Sequence, residues 1–223
     1  MKKHVRNTQY RGFTLVELLV VIAIIFALAA ISAPAVTKVL QRVALMTSVS
    51  NARQVKMALD SFAADFDGDY INDSTLVELG GVAASDAAGN FEALFLGNYL
   101  DDSAYSLFYS KELKNLLGAT AHSEFIADGS NTFSNTNCGF TYNKGLSTTS
   151  DGDAPLLTTK TTTAGTFYSG LWNHKAVVAR VDGSVKPVKL DGAPVKNPTS
   201  SDVAPITENN VDIFSIGSGT IQY

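Results

Sequence analysis

The sequence is poor in cysteine, histidine and charge. Its 223 residues include one cysteine, three histidines and 17% charged residues, against about 25% charged residues in an ordinary soluble domain. A single cysteine, Cys138, excludes an internal disulfide framework and a metal site built from several cysteines. Beyond the first dozen residues the histidines are His122 and His174, which lack helical metal-binding spacing, and no serine lies in a nucleophile-elbow sequence. We therefore expect no enzyme, no catalytic residue and no required cofactor.

The few charges are unevenly distributed along the chain. Residues 1–12 contain four basic residues and no acidic one, so all 21 acidic residues and the other 13 basic residues follow Gly12. The first dozen residues thus carry +4 and the remainder −8, for a net charge of −4. An acidic chain of this kind is not expected to bind nucleic acid non-specifically.

One long apolar run is present instead. Residues 18–31 are entirely apolar, and residues 13–36 contain a single charge, Glu17. A helix of this length reaches across the roughly 30 Å of a bilayer core, and the basic start predicts a cytoplasmic N-terminus. A cleaved secretory signal or a plain membrane anchor would share these features. The run is, however, longer than the roughly 7–15 apolar residues of a signal peptide.

Glu17 fits neither of those two interpretations. A carboxylate inside an apolar span is costly unless it has a cationic partner. A simple anchor gains nothing from such a residue, so its presence indicates a function.

Residues 11–17, with the sequence Arg-Gly-Phe-Thr-Leu-Val-Glu, resemble the processing site of type IV prepilins and type II secretion pseudopilins. The resemblance implies that a prepilin peptidase cuts between Gly12 and Phe13 and that the new amine of Phe13 is methylated. It also implies that this amine, on an incoming subunit, pairs with Glu17 of a neighbour. The residues expected to form the filament core, together with a helix-kinking proline, are Leu18, Val21, Ile25, Leu28 and Pro34.

The resemblance also implies a domain organisation and a location. We expect a cleaved leader at 1–12, a transmembrane and assembly helix at 13–36, its amphipathic continuation at 37–67 and a periplasmic or extracellular head at 68–223. The protein would cross the inner membrane once and then enter a filament. Its expected partners are other pilin or pseudopilin subunits, the prepilin peptidase and the inner-membrane assembly platform.

The function implied is structural. Many pilins close their C-terminal region with a disulfide, which this chain cannot form, so we favour a type II secretion pseudopilin. The alternative is a major or minor type IV pilus subunit that serves adhesion, motility or DNA uptake. A tip-located binding module and an exported enzyme with a cleaved signal remain as further classes.

Apolar residues spaced by three or four continue beyond the membrane run. This pattern predicts one helix from about Thr14 to Asp65, kinked near Pro34, with its second half packed on the head. Charged residues such as Lys56 are expected on the other faces. The predicted packed stripe consists of Val39, Val43, Met46, Val49, Ala52, Val55, Leu59, Phe62 and Phe66.

Four aspartates cluster where this helix should end, namely Asp65, Asp67, Asp69 and Asp73. Carboxylate oxygens are the ligands that Ca²⁺ prefers, although the spacing is not that of an EF-hand. We expect a structural turn capped by Gly68, with a calcium site as the alternative.

The head is predicted to combine helices and a small antiparallel sheet. Residues 74–118 show helical patterns, whereas 139–142, 176–181, 184–190 and 211–216 are candidate strands. An Asp-Gly pair at 182–183 between two apolar runs predicts a hairpin. Polar loops are expected at 147–166 and 197–210. The fold class is therefore α+β, a long N-terminal spine helix on a C-terminal sheet, as in pilin-like proteins.

Overall fold

A computed structural model describes most of the chain. It covers residues 13–84, 86–118, 123–125, 132–161, 167–168 and 171–190, and the backbone alone of four short strands between 203 and 222. The side chains of residues 32–35 and of Asn173 lie outside the described set. The chain divides into two compact units, residues 1–40 and Gln41–Tyr223.

Helix α1 runs over Leu15–Asp65, which confirms the predicted length of the spine. Its backbone is helical through residue 34. The kink expected at Pro34 stays a prediction. No single helix among the described residues is long and apolar enough to span a membrane. The stretches Leu15–Ile31 and Val36–Asp65 meet that test only as a pair.

The head covers α1 from Leu45 to Ala63. The buried side includes Val49, Leu59 and Phe62, which are no more than 4% exposed. Burying large apolar side chains in this way stabilises each by roughly 1.5–3 kcal/mol. The spine is therefore held by its C-terminal third.

Two residues of the predicted stripe within Gln41–Tyr223 are not packed on the head. Val43 and Met46 are 57% and 58% exposed, so the prediction is wrong for them. Helical periodicity identifies a face, but it does not show where along the helix a neighbouring layer begins to cover it. Lys56 departs in the opposite direction, because it is only 3% exposed.

The helix ends at two residues with positive φ. Asp67 has φ 51° and Gly68 has φ 90°. The N–H of Gly68 donates to the carbonyl of Ala63 over 2.7 Å, and its own carbonyl accepts from the N–H of Thr148 over 2.8 Å. Gly68 was expected to cap the helix. Gly68 does cap the helix, directly after Asp67, which is the first residue with a left-handed backbone. The hydrogen bond from Thr148 also connects this turn to the loop that contains Thr148.

Short helices follow, as the patterns at 74–118 predict. They are α2 (Asp73–Glu78), α3 (Ala87–Leu96), a 3-10 helix (Asp102–Phe108) and α4 (Lys111–Leu117). Phe91 and Phe108 lie between these helices and the sheet, with ring centroids 5.0 Å apart. Both are fully buried, so this aromatic contact forms part of the core.

The main sheet has five antiparallel strands: β1 (Phe140–Lys144), β2 (Pro155–Thr159), β4 (Lys175–Arg180), β5 (Val185–Lys189) and β9 (Thr220–Gln222). Their order across the sheet is β5-β4-β2-β1-β9. This sheet, together with α1, confirms the α+β class. Strands β4 and β5 form the hairpin predicted at Asp182-Gly183.

Shorter pieces complete the described strands. These are β3 (Phe167–Tyr168), which pairs with β6 (Val203–Ala204), and β7 (Thr207–Glu208), which pairs with β8 (Val211–Asp212). A second 3-10 helix spans Leu171–Asn173. The strand predicted at 211–216 is present over Val211–Asp212, and residues 213–216 lie outside the described residues.

Strand β2 contradicts the loop predicted at 147–166. All five of its residues are buried, and it lies between β1 and β4. Its threonines made a loop the expectation from composition. In the structure, however, the Thr159 hydroxyl is hydrogen-bonded within the sheet. The Thr159 hydroxyl accepts from the N–H of Val177 over 2.8 Å.

Candidate processing and assembly segment

The first turn of α1 is closed by reciprocal hydrogen bonds between Thr14 and Glu17. Thr14 donates its backbone N–H to Glu17 Oε2 over 2.9 Å and its hydroxyl to the same oxygen over 2.7 Å. The backbone N–H of Glu17 donates to Thr14 Oγ1 over 3.2 Å. This is a capping box, in which the residue before the helix and the third helical residue satisfy each other's free donors. Within the part of the chain that the structure describes, these bonds to the carboxylate all use Oε2.

The sequence interpretation missed the role of Thr14. A threonine followed three residues later by glutamate, directly before an apolar run, is the signature of a capping box. Residues 14–17 therefore carry the signal that identifies this cap.

The four apolar residues expected in the filament core lie on one face of α1. Leu18, Val21, Ile25 and Leu28 are spaced by three, four and three, and Glu17 borders their face. They are 59%, 47%, 57% and 64% exposed. Exposed apolar surfaces of this extent mark a contact with a partner or a membrane.

Phe13 is the first described residue and is 80% exposed. Gly12, on the other side of the predicted cleavage point, lies outside the described residues. Phe13 directly precedes the capping box, so an amine freed on Phe13 would begin the chain four residues before Glu17.

The part of α1 that the head covers contains a buried lysine, Lys56. Lys56 Nζ lies 2.5 Å from Asp60 Oδ1, and the Tyr70 hydroxyl donates to the same oxygen over 2.9 Å. Burial and the nearby Asp60 carboxylate raise the pKa of Tyr70 well above its ordinary value. Through Tyr70, this group of side chains links α1 to the chain that follows the helix.

The four aspartates considered for calcium have other partners or lie apart. Asp65 accepts from the Tyr99 hydroxyl over 2.8 Å, and Asp73 pairs with Lys144 over 2.7 Å. The described residues contain no group of three or more acidic, histidine or cysteine side chains placed to hold a metal ion. The geometry gives no support to a calcium site at this turn.

The other reactive residues do not form a site in the described structure. His174 has φ 61° and follows the 3-10 helix that precedes β4, whereas His122 lies outside the described residues. Cys138 is fully buried, and burial raises the pKa of its thiol to about 12. The thiol donates to the carbonyl of Phe140 over 3.3 Å, so it is an inert interior group.

Residues 7–33 match the family model described as the prokaryotic N-terminal methylation motif. The chain carries a prepilin-type methylation motif. This result confirms the predicted resemblance and is consistent with the type IV prepilin and pseudopilin family. The motif implies processing by prepilin peptidase, anchoring through the N-terminal helix and assembly into filaments with other pilins. No curated protein and no solved structure matches the chain.

Proposed function

We propose that this prepilin-type chain is a structural subunit of a type II secretion pseudopilus. In this proposal it is cut between Gly12 and Phe13, methylated on the Phe13 amine and polymerised through residues 13–36. The observation that supports it most is the position of Glu17, which is capped by Thr14 in the first turn of an exposed apolar helix inside the methylation motif.

The capping box suggests how Glu17 could take part in assembly. Thr14 restrains the carboxylate through Oε2, so Oε1 is the oxygen that an incoming amine would approach. Methylation of an amine preserves its positive charge. In an apolar bundle the attraction between that cation and Glu17 is stronger than in water, and leaving either charge unpaired is costly. The pair would therefore fix the axial register of neighbouring subunits.

The membrane step follows from the distribution of charge. The leader carries four basic residues and no acidic one, which favours retention of residues 1–12 in the cytoplasm. The protein would then cross the inner membrane once, with the head in the periplasm, before the assembly platform adds it to a filament. Its role is structural and uses no catalytic group.

Cys138 supports the choice of a pseudopilus over a type IV pilus. It is the single cysteine of the chain, so the head lacks the disulfide that closes many pilins. A deletion strain scored for both phenotypes tests this choice. Loss of secretion alone supports the pseudopilus, whereas loss of surface filaments alone would assign the chain to a pilus.

Mass spectrometry of the mature chain tests the processing step. We expect an N-terminal peptide that begins at Phe13 and carries one added methyl group. A mature chain that begins near Pro34 or later would identify an ordinary signal peptide and overturn the proposal. A Gly12 variant that blocks cleavage should retain residues 1–12 and serves as the control.

A further inference from the structure

One exposed stripe of α1 alternates arginine and methionine. It consists of Arg42, Met46, Arg53 and Met57, which we call the stalk stripe. Spacings of four, seven and four residues place all four on one side of the helix. Met46 and Met57 are 58% and 68% exposed, and both arginines are exposed. The ion pairs of the described residues involve neither arginine.

The stalk stripe has the composition of a contact surface. Methionine is a flexible apolar residue that is over-used at binding surfaces, and arginine is enriched at interfaces while most charged residues are depleted. Residues 41–57 contain no acidic residue, and their third basic residue, Lys56, is buried and paired with Asp60, so the two arginines are the charges of the stripe. A partner for this stripe must therefore supply both apolar surface and negative charge.

A groove elsewhere in the unit Gln41–Tyr223 offers both apolar surface and negative charge. It has a volume of about 390 Å³ and is lined by residues that include Val82, Asp86, Glu92 and Leu96. We call it the acidic groove. Val82 and Leu96 are 83% and 52% exposed, so apolar surface is available beside the two carboxylates.

The segment that lines the groove belongs to an acidic part of the chain. Residues 65–118 contain ten acidic and two basic residues. Burial and the neighbouring Asp86 carboxylate raise the pKa of Glu92, which reflects two carboxylates in a partly desolvated place. Asp86 already accepts from the backbone N–H of Gly89 over 2.7 Å. Lys144 donates to the carbonyl of Ala84 in the groove wall, and Lys160 interacts electrostatically with Asp86. Glu92 is exposed and is therefore the carboxylate that a cation entering the groove would meet first. No described lining residue belongs to α1, so the chain does not fill the groove with its own stalk stripe.

We propose that the acidic groove of one copy binds the stalk stripe of a second copy. Arg42 or Arg53 would meet Asp86 and Glu92, while the methionines cover Val82 and Leu96. The two surfaces differ, so the contact is heterologous, and a pair of copies keeps one free acidic groove and one free stalk stripe. Heterologous contacts that do not close into a ring build open-ended polymers. This interface rests on the proposed function and adds a contact between the head of one copy and the spine helix of another to the packing of the membrane helices.

Cysteine cross-linking of the full-length chain in its native host tests the contact. Met46→Cys and Val82→Cys are combined in one chain and treated with a short bismaleimide. Native Cys138 is fully buried and should not react. We expect a ladder of dimers, trimers and larger species, because each copy then carries both halves of a heterologous contact. Each single variant should stay monomeric, and so should a control that pairs Met46→Cys with Lys186→Cys on β5.

Charge reversal tests the same contact independently. Arg53→Glu and Glu92→Arg should each reduce the ladder several-fold, and the two changes together should restore it. Filaments that assemble normally while the double-cysteine chain stays monomeric would overturn this interface and leave the proposed function intact. Cross-linked dimers in a single-cysteine variant would overturn it as well, because they indicate a symmetric contact. A wild-type chain that is neither processed at Phe13 nor assembled would overturn the proposed function and this interface together.

Discussion

Lys56 is buried with its ammonium 2.5 Å from the Asp60 carboxylate, one turn further along α1. The two ends of this pair are unequal, because the Lys56 side chain is 3% exposed and that of Asp60 is 46% exposed. Tyr70 adds a third partner through its hydrogen bond to Asp60. Asp60 therefore loses little hydration when the pair forms. Loss of the Asp60 carboxylate, in contrast, would leave the Lys56 ammonium buried without its partner.

Asp60→Ala should destabilise the head more than Lys56→Met. The first change leaves a buried ammonium without its carboxylate, at a cost of about 1–3 kcal/mol. The second removes the buried charge and leaves a half-exposed carboxylate that water and Tyr70 still solvate. Urea unfolding of the full chain in detergent measures both. Equal losses would show that the pair acts through packing alone.

Gly68→Ala should destabilise the protein more than Gly80→Ala. Both glycines have positive φ, 90° and 80°, so each alanine carries the roughly 1–2 kcal/mol cost of a left-handed residue. A Cβ at Gly68 would also lie 2.6 Å from the Thr148 hydroxyl oxygen, whereas a Cβ at Gly80 meets nothing within 4 Å. Gly80→Ala is thus the matched control for backbone strain. Thermal melts compare the two, and equal shifts would show that Thr148 moves aside freely.

The parts of the fold that the sequence predicts correctly are those governed by local patterns. The end of α1 at Asp65, the hairpin at Asp182-Gly183 and the short helices after Asp73 each depend on neighbours close in sequence. The capping box of Thr14 and Glu17 is equally local, and its signature was available at residues 14–17.

The parts that sequence could not supply depend on distant residues. Strand β2 is central because β1 and β4 flank it, and nothing within Pro155–Thr159 records that pairing. Lys56 is buried because the head covers its side of the helix, whereas Met46, ten residues earlier, is left exposed. Periodicity places both residues on a face without saying what covers that face.

Cys138 should be unreactive in the folded chain at pH 8 and reactive once the chain unfolds. Burial raises its pKa from 9.0 to about 12, so at pH 8 the folded chain contains almost no thiolate, the form that reacts. Iodoacetamide labelling with and without urea, followed by mass spectrometry, measures this. Rapid labelling of the folded protein would contradict the buried position.

The same shift predicts a loss of stability at alkaline pH. The folded chain holds the thiol proton where the unfolded chain releases it, so this contribution is complete below pH 9 and is lost as pH rises from 9 towards about 12. Cys138→Ala should therefore show a shallower decline in unfolding free energy over that range. Burial also raises the pKa values of several tyrosines, which contribute to the slope that remains: Tyr70, Tyr99, Tyr105, Tyr142 and Tyr168. An unchanged slope would contradict the prediction.

Variants at Glu17 and Thr14 should separate the two roles of the Glu17 carboxylate. Glu17→Ala removes both the cap and the charge, and we expect a chain that is processed and membrane-bound but poorly assembled. Glu17→Gln keeps an oxygen for the Thr14 donors and removes only the charge, so it should fail in the same way if pairing with an amine drives assembly. Thr14→Ser keeps the capping hydroxyl and is the matched control.

The measurement for these variants is the fraction of mature chain recovered in sheared filaments, relative to the fraction in membranes. Normal incorporation of Glu17→Ala would refute the pairing role outright. Normal incorporation of Glu17→Gln alongside failure of Glu17→Ala would assign the function of Glu17 to the capping box, because the glutamine preserves the bonds to Thr14 and lacks the charge. In that case Thr14→Ala should fail as well, since it removes the hydroxyl that donates to Oε2 and accepts from the N–H of Glu17.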